Sequence, residues 1–282
     1  MTESVNPSVG GELHTVPGQP PTKQPRLLMR GINKSFGAVR ALTNVDFEVY
    51  DGEVVGLVGD NGAGKSTLIK TIAGVGPADD GEVFVAGQPV KIASPQVAAR
   101  LGIETVYQDL ALCDNLDVVS NLFLGREQHT PYEILSEIAM ERQGLNVLRT
   151  LDVKLPSIRA TVAALSGGQR QSIAVAKTIL RNAKLILLDE PTAALGVAQT
   201  KQVLNLILRL REQGLAVVVI SHNLADVFEV VDRVIVMRLG RRVATFDVKT
   251  TTPERVVAAI TGAEFGEMLQ TNTATNGNEG GK

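Results

Sequence analysis

The stretch "EVVGLVGDNGAGKSTLIKTIAG", residues 53–74, decides how this chain folds. Its first part, "EVVGLVG" (53–59), is the apolar run of a buried strand. Its last part, "STLIKTIAG" (66–74), has helical spacing and is stopped by Gly74. Between them lies Gly59, Asp60, Asn61, Gly62, Ala63, Gly64, Lys65, Ser66 and Thr67, which fits G-x-x-x-x-G-K-[ST]. A strand before and a helix after are the context that gives this pattern its meaning. The glycines let the backbone curl its N–H groups toward phosphate oxygens. Lys65 adds a point charge at the β- and γ-phosphates, and Ser66 offers a hydroxyl to Mg²⁺.

Outward from this loop, strands and helices alternate. "AKLILLDE" (183–190) and "LAVVVISH" (215–222) are continuous apolar runs that suit parallel strands covered on both faces. "GEVFVAGQPV" (81–90) reads as two strands turning at Ala86–Gly87, and "DRVIVMRLGRRVATFD" (232–247) as a hairpin turning at Leu239–Gly240. "TTPERVVAAITG" is a helix with Thr252 as N-cap and Pro253 at its first position. Short strands in 28–58 and 81–92 predict an antiparallel flank. From about Ser94 to Thr161 no strand pattern follows "IETVYQ"; helical spacing does, as in "YEILSEIAMERQGLNVLRTL". A helical insert is therefore expected within an α/β core.

The 282 residues carry 28 basic and 30 acidic side chains, a net charge of −2, which gives no global signature of a nucleic-acid binder. The longest apolar runs are far shorter than the ~18 residues of a membrane span, and the N-terminus lacks a secretory pattern. Residues 1–25 and 271–282, rich in small and polar residues, read as a disordered arm and tail around a 26–270 domain. Cys113, the only cysteine, reads as a half-buried apolar residue, and His14 and His129 as exposed.

Asp189 and Glu190 close the run "LILLDE". Ligands of open α/β sheets bind at the carboxyl ends of strands, so Asp189 is placed to hold Mg²⁺ through water. Glu190, pointing another way, is the candidate to orient or deprotonate an attacking water.

"LSGGQRQ" (165–171) then raises a question, because it is a second glycine device at the start of a helix. With it, the order phosphate loop, Gln108, Leu165–Gln169, Leu185–Glu190, His222 resembles the ATP-binding-cassette (ABC) ATPases from about Leu27 to Gly262. The resemblance implies a P-loop NTPase fold of α/β class, with an antiparallel β subdomain and a helical subdomain inserted at about 94–165. It implies ATP and Mg²⁺ as cofactors. It also implies a head-to-tail dimer, in which Ser166, Gly167, Gly168 and Gln169 of one copy meet the nucleotide held by the other. One copy of each motif in the chain makes a homodimer the simplest such pair.

By the same resemblance, Gln108 touches Mg²⁺ and the attacking water, and His222 contacts the γ-phosphate. Phe36 stacks on adenine; the alternative is a core phenylalanine of the flanking sheet. One departure stands out: where most cassettes have an acidic residue after "DEPTAAL", this chain has Gly196. "VYQDLALCDNLDVVSNLFLGRE" (106–127) resembles ATPases of bacterial monosaccharide importers of the ribose, xylose and fructose group, in their single-cassette branch. Implied partners are an integral-membrane permease, gripped around residues 109–125, and indirectly a periplasmic or extracellular sugar-binding protein. The implied location is the cytoplasmic face of the membrane. A cassette for another solute and a non-transport ATPase of translation or DNA repair are the competing readings.

Overall fold

The computed structural model describes residues 24–263; of the arm expected at 1–25 all but Gln24 and Pro25, and the whole tail expected at 271–282, lie outside them. In chain order the elements are β1 (Leu27–Phe36), β2 (Val39–Val49), β3 (Val54–Val58), α1 (Lys65–Ile72), β4 (Asp80–Val85), β5 (Gln88–Pro89), α2 (Pro95–Arg100) and β6 (Ile103–Val106). There follow α3 (Val118–Phe123), α4 (Glu137–Thr150), α5 (Gly167–Leu180), β7 (Leu185–Asp189), α6 (Val197–Glu212), β8 (Ala216–Ile220), α7 (Leu224–Val230), β9 (Arg233–Arg238), β10 (Arg241–Asp247) and α8 (Pro253–Thr261).

Two sheets form. One is antiparallel, in the order β2-β1-β4-β5. The other has the order β10-β9-β3-β8-β7-β6, and its pairs from β9 to β6 are all parallel. The apolar runs of β7 and β8 explain this placement, since both faces are buried. Alternate residues serve two cores: Ile186, Leu188, Val217 and Val219 pack toward the helices α5 and α6, while Leu185, Leu187, Ala216 and Val218 pack toward α1 and the antiparallel sheet. Arg233, bonded to Glu53 at 2.6 Å and reaching Glu48, ties the two sheets at one end.

Both expected hairpins turn where the sequence places them. Ala86 and Gly87 have φ of 48° and 76°, and Leu239 and Gly240 have 48° and 73°, the paired positive angles of type I′ turns.

Four expectations need correction. The helical portion begins later than residue 94: α2 packs on β6, and β6 pairs with β7 inside the main sheet, so the chain leaves the core only after Val106. Of 28–58, only β1 and β2 join the antiparallel sheet; β3 belongs to the parallel one. The helix read from Tyr132 starts at Glu137, because residues 128–136 fold back through an antiparallel bridge between His129 and Leu135, with Glu133 at a left-handed φ of 62°. Finally, Thr252 holds the N-cap position of α8, but its side chain caps no helical N–H.

Candidate functional site

The phosphate loop leaves the carboxyl end of β3 and enters α1. Gly59 has a φ of 147°, and a Cβ there would lie 2.1 Å from the Met237 carbonyl oxygen, so no larger residue fits. Gly64, the N-cap of α1 at φ 102°, passes close to β2: a Cβ would meet the Ala41 oxygen at 2.9 Å. The loop is thus pressed between β2 and the β9–β10 turn, which donates from Gly240 N to Ala63 O at 3.0 Å.

Lys65 Nζ donates to the carbonyls of Gly59 at 2.7 Å and Asp60 at 3.0 Å. Burial pushes its pKa down, while Glu190, Asp60 and Asp189 oppose the shift, so the ammonium sits between loop and carboxylates. Ser66, Asp60, Asn61 and Gly62 are exposed, Thr67 is half-buried and Ala63 is buried.

Because β3, β8 and β7 are adjacent, their carboxyl ends share one edge. Asp189 ends β7. Burial first, then the Glu190 charge, raises its pKa, with Lys65 and Lys70 acting the other way. Glu190 turns off the strand at a φ of 49°, its N–H held by Ile220 O at 2.9 Å. This swings its carboxylate to His222, whose Nδ1 lies 2.8 Å from Glu190 Oε2. The His222 side chain is 76% exposed and that of Glu190 19%, so the pair has one face open. Gln108 is exposed two residues beyond the carboxyl end of β6; its neighbour Tyr107 is close enough to Asp189 to feel its charge.

Phe36 is 56% exposed at the end of β1, with Lys34 Nζ 5.6 Å from its ring centre. The core-phenylalanine alternative is thereby removed.

The Leu165–Gln169 segment has a different setting. Ser166 caps α5 in a capping box: its hydroxyl accepts from Gln169 N, and the Gln169 amide oxygen accepts from Ser166 N. The amide nitrogen of Gln169 donates to Lys154 O at 3.0 Å, so this side chain, expected at the nucleotide, is spent inside its own subunit. The two glycines pack on α6 and the turn before it. A Cβ at Gly167 would meet Leu195 Cδ2 at 2.7 Å, and one at Gly168 would meet Gln202 Oε1 at 3.0 Å. Gly196, the N-cap of α6, is different: its φ is −74° and a Cβ there meets nothing within 4 Å. The backbone does not demand glycine at this departure.

One residue escaped the sequence reading. Asn121 is fully buried; its oxygen accepts from Cys113 N at 2.7 Å, and its nitrogen donates to the carbonyls of Cys113 and Asp117, both at 3.0 Å. It staples the loop following Gln108 onto α3. A lone amide inside the apolar run "VVSNLFL" was the available signal. Cys113 itself is half-buried and His129 exposed, as expected; His14 lies outside the described residues.

For Mg²⁺ the candidate donors are Ser66, Asp189 and Gln108, all hard oxygens. Among the described residues no three His, Cys, Asp or Glu side chains are arranged to hold a metal ion by themselves. Few protein oxygens beside a phosphate loop fit Mg²⁺, which takes one or two carboxylates plus phosphate oxygens and water.

The raised pKa of Asp189 gives a stability prediction. A carboxyl group raised on folding stabilises fully below its ordinary value and loses that contribution as pH rises through the folded value. At neutral pH the charged form therefore costs stability. Asp189→Asn is expected to raise the melting temperature by roughly 1–3 °C without nucleotide. The gain should shrink as pH is lowered into the carboxyl range, which a melting series across pH measures.

Comparison with known proteins follows the same lines. The family model described as ABC transporter matches residues 42–193. The chain is 45% identical over 249 residues to the fructose import ATP-binding protein FrcA of Rhizobium meliloti, covering 86% of this chain and 96% of that one. It is 43% identical over 242 residues to the xylose/arabinose import ATP-binding protein XylG of Sulfolobus acidocaldarius, with the same coverage, 86% and 96%. Against the ribose import ATP-binding protein RbsA of Lacticaseibacillus paracasei it is 36% identical, spanning only 50% of that longer protein. Among solved structures, a nucleotide-free ATP-binding cassette from an ABC transporter aligns with a TM-score of 0.71 at 26% identity, covering 83% of this chain and 98% of that one. The ADP conformation of the cassette MJ1267 aligns at 0.72 and 25%, covering 87% and 98%.

Proposed function

The chain belongs to the ABC transporter family, and from that premise we propose that it is the ATP-hydrolysing subunit of a monosaccharide importer, working as a head-to-tail homodimer beneath a membrane permease. The observation that carries the hydrolytic part is the edge where Lys65, Asp189, Glu190 and His222 meet, with Glu190 and His222 2.8 Å apart. The sugar assignment rests on the fructose and xylose/arabinose import relatives, which this chain matches over nearly their whole length. Among the described residues no helix is long and apolar enough to cross a membrane, so membrane attachment is assigned to the permease.

In this reading the loop amides and Lys65 hold the β- and γ-phosphates, and Phe36 stacks on the adenine. Ser66, Asp189 and Gln108 hold Mg²⁺, which when bound offsets phosphate charge. Glu190 accepts a hydrogen bond from the attacking water and draws off its proton. His222 orients that carboxylate and faces the γ-phosphate. Ser166 and Gly168 supply a helix N-terminus to the γ-phosphate of the partner's nucleotide. Both segments then grip one nucleotide, and its γ-phosphate holds the dimer closed. The loop 109–125 passes closure to the permease, and Gly196 makes the cross-dimer contact by backbone alone. A sugar-binding protein outside the membrane selects the solute.

The test pairs two measurements. Purified protein should release phosphate from ATP in a Mg²⁺-dependent manner. Cells carrying it with its permease should take up labelled fructose, xylose or ribose, and lose uptake on its deletion. ATP hydrolysis with uptake of a different solute class would leave the ATPase and remove the sugar.

A further inference from the structure

The Glu190 carboxylate is carried by a turn whose backbone is held against its own preference. Two non-glycine residues of the turn have left-handed φ, Glu190 at 49° and Ala194 at 59°. Such angles persist where surrounding contacts enforce them. Two of the turn's hydrogen bonds are internal, Ala193 N to Glu190 O and Leu195 N to Thr192 O. Its outward backbone tie, Glu190 N to Ile220 O, lies at its very start. Beyond that point the turn reaches across to α7 through one side chain: Thr192 Oγ1 donates to Asp226 Oδ2 at 2.7 Å.

The partner segment is the capped start of α7. Asn223 caps α7, its side-chain oxygen accepting from Ala225 N at 3.1 Å, and Asp226 lies in the first turn. His222 immediately precedes this cap. The same two pieces of chain therefore meet twice, at His222–Glu190 and at Asp226–Thr192. The first contact joins groups placed at the reaction; the second joins groups two and four residues further along each piece. A turn pinned at two points cannot swing about either.

We propose that Thr192 and Asp226 are positioning residues, which fix the Glu190 carboxylate for the attacking water without touching it. The proposal rests on the hydrolytic reading of Glu190. The full chain is compared as wild type, Thr192→Val, Asp226→Ala, the double variant, Thr192→Ser and Asp226→Asn. Measurements are steady-state ATP hydrolysis, ATP affinity by titration, and melting temperature.

Thr192→Val and Asp226→Ala should each lower kcat about tenfold to a hundredfold, the scale of an ångström's misplacement. KM and titrated affinity should stay within about twofold, because the phosphate loop is untouched. The double variant should be no worse than either single one, as for one shared bond. Thr192→Ser and Asp226→Asn, which keep donor and acceptor, should stay within about threefold of wild type.

Normal kcat in Thr192→Val, or losses that multiply in the double variant, would overturn the proposal. So would Asp226→Asn falling as far as Asp226→Ala beside a normal Thr192→Val, which would assign Asp226 to the helix dipole instead. Should Asp226→Ala fail to fold, the two Thr192 variants decide. An inactive wild type would sink the hydrolytic reading itself; an active wild type with an unaffected Thr192→Val sinks this inference alone.

Discussion

Glu190→Gln lowers steady-state ATP hydrolysis by about three orders of magnitude, within the range for loss of a general base, and leaves ATP affinity within a few-fold. The substitution keeps shape and one acceptor oxygen for His222, which stands 2.8 Å from the carboxylate. It removes the basic oxygen and a negative charge beside the phosphate loop. Lys65 loses one of the three carboxylates that oppose its burial, and Asp189 loses the neighbour that raises its pKa. The phosphate-binding charges are otherwise intact, so nucleotide still enters. With γ-phosphate uncleaved, closed dimers accumulate. Size-exclusion chromatography with and without ATP should show a dimer peak only with ATP, and a phosphate-release assay should show the loss. Normal turnover in this variant would remove Glu190 from its assigned place.

Much of this arrangement was readable because each feature has a local cause. A strand feeding "GDNGAGKST" can only place the loop at a strand's carboxyl end, and β7 and β8 announce themselves by runs apolar on both faces. Ala86–Gly87 and Leu239–Gly240 are turns for similarly local reasons. What stayed hidden depends on distant partners. Nothing in "LSGGQ" says that Gly167 is small to admit Leu195, or that Gln169 is consumed by Lys154. The helical insert begins later than residue 94 because β7, from eighty residues on, recruits β6, and α2 packs on β6. The start of α4 moved because a bridge between His129 and Leu135 outweighs helical spacing. The exposure of Phe36, which removes its use as a core residue, is likewise set by the strands around it and not by its own neighbours in sequence. The bond between Thr192 and Asp226 joins residues 34 apart, and neither type at either position signals it.

Two inactive variants should restore each other. Lys65→Ala removes the ammonium that hydrogen-bonds the loop carbonyls of Gly59 and Asp60, and is expected to lose nucleotide affinity by titration. Ser166→Leu leaves the phosphate loop intact and spoils the capped start of α5, at a stability cost of about 1 kcal/mol for the lost cap. Ser166 bonds within its own turn, and the neighbouring glycines pack on Leu195 and Gln202, so this segment's place in the fold is α6 and the turn before it. If nucleotide is shared head to tail, each variant alone spoils both pockets of its homodimer. In a mixed dimer both lesions fall in one pocket, and the other combines an intact loop with an intact α5 N-terminus. Random exchange makes about half the dimers mixed, each with one of two pockets whole, so an equimolar mixture should recover about a quarter of wild-type hydrolysis when pockets work independently. The double variant Lys65→Ala/Ser166→Leu, mixed with itself, should recover nothing. Full activity of purified Ser166→Leu by itself would mean that one chain completes its own pocket, and the head-to-tail arrangement would fall.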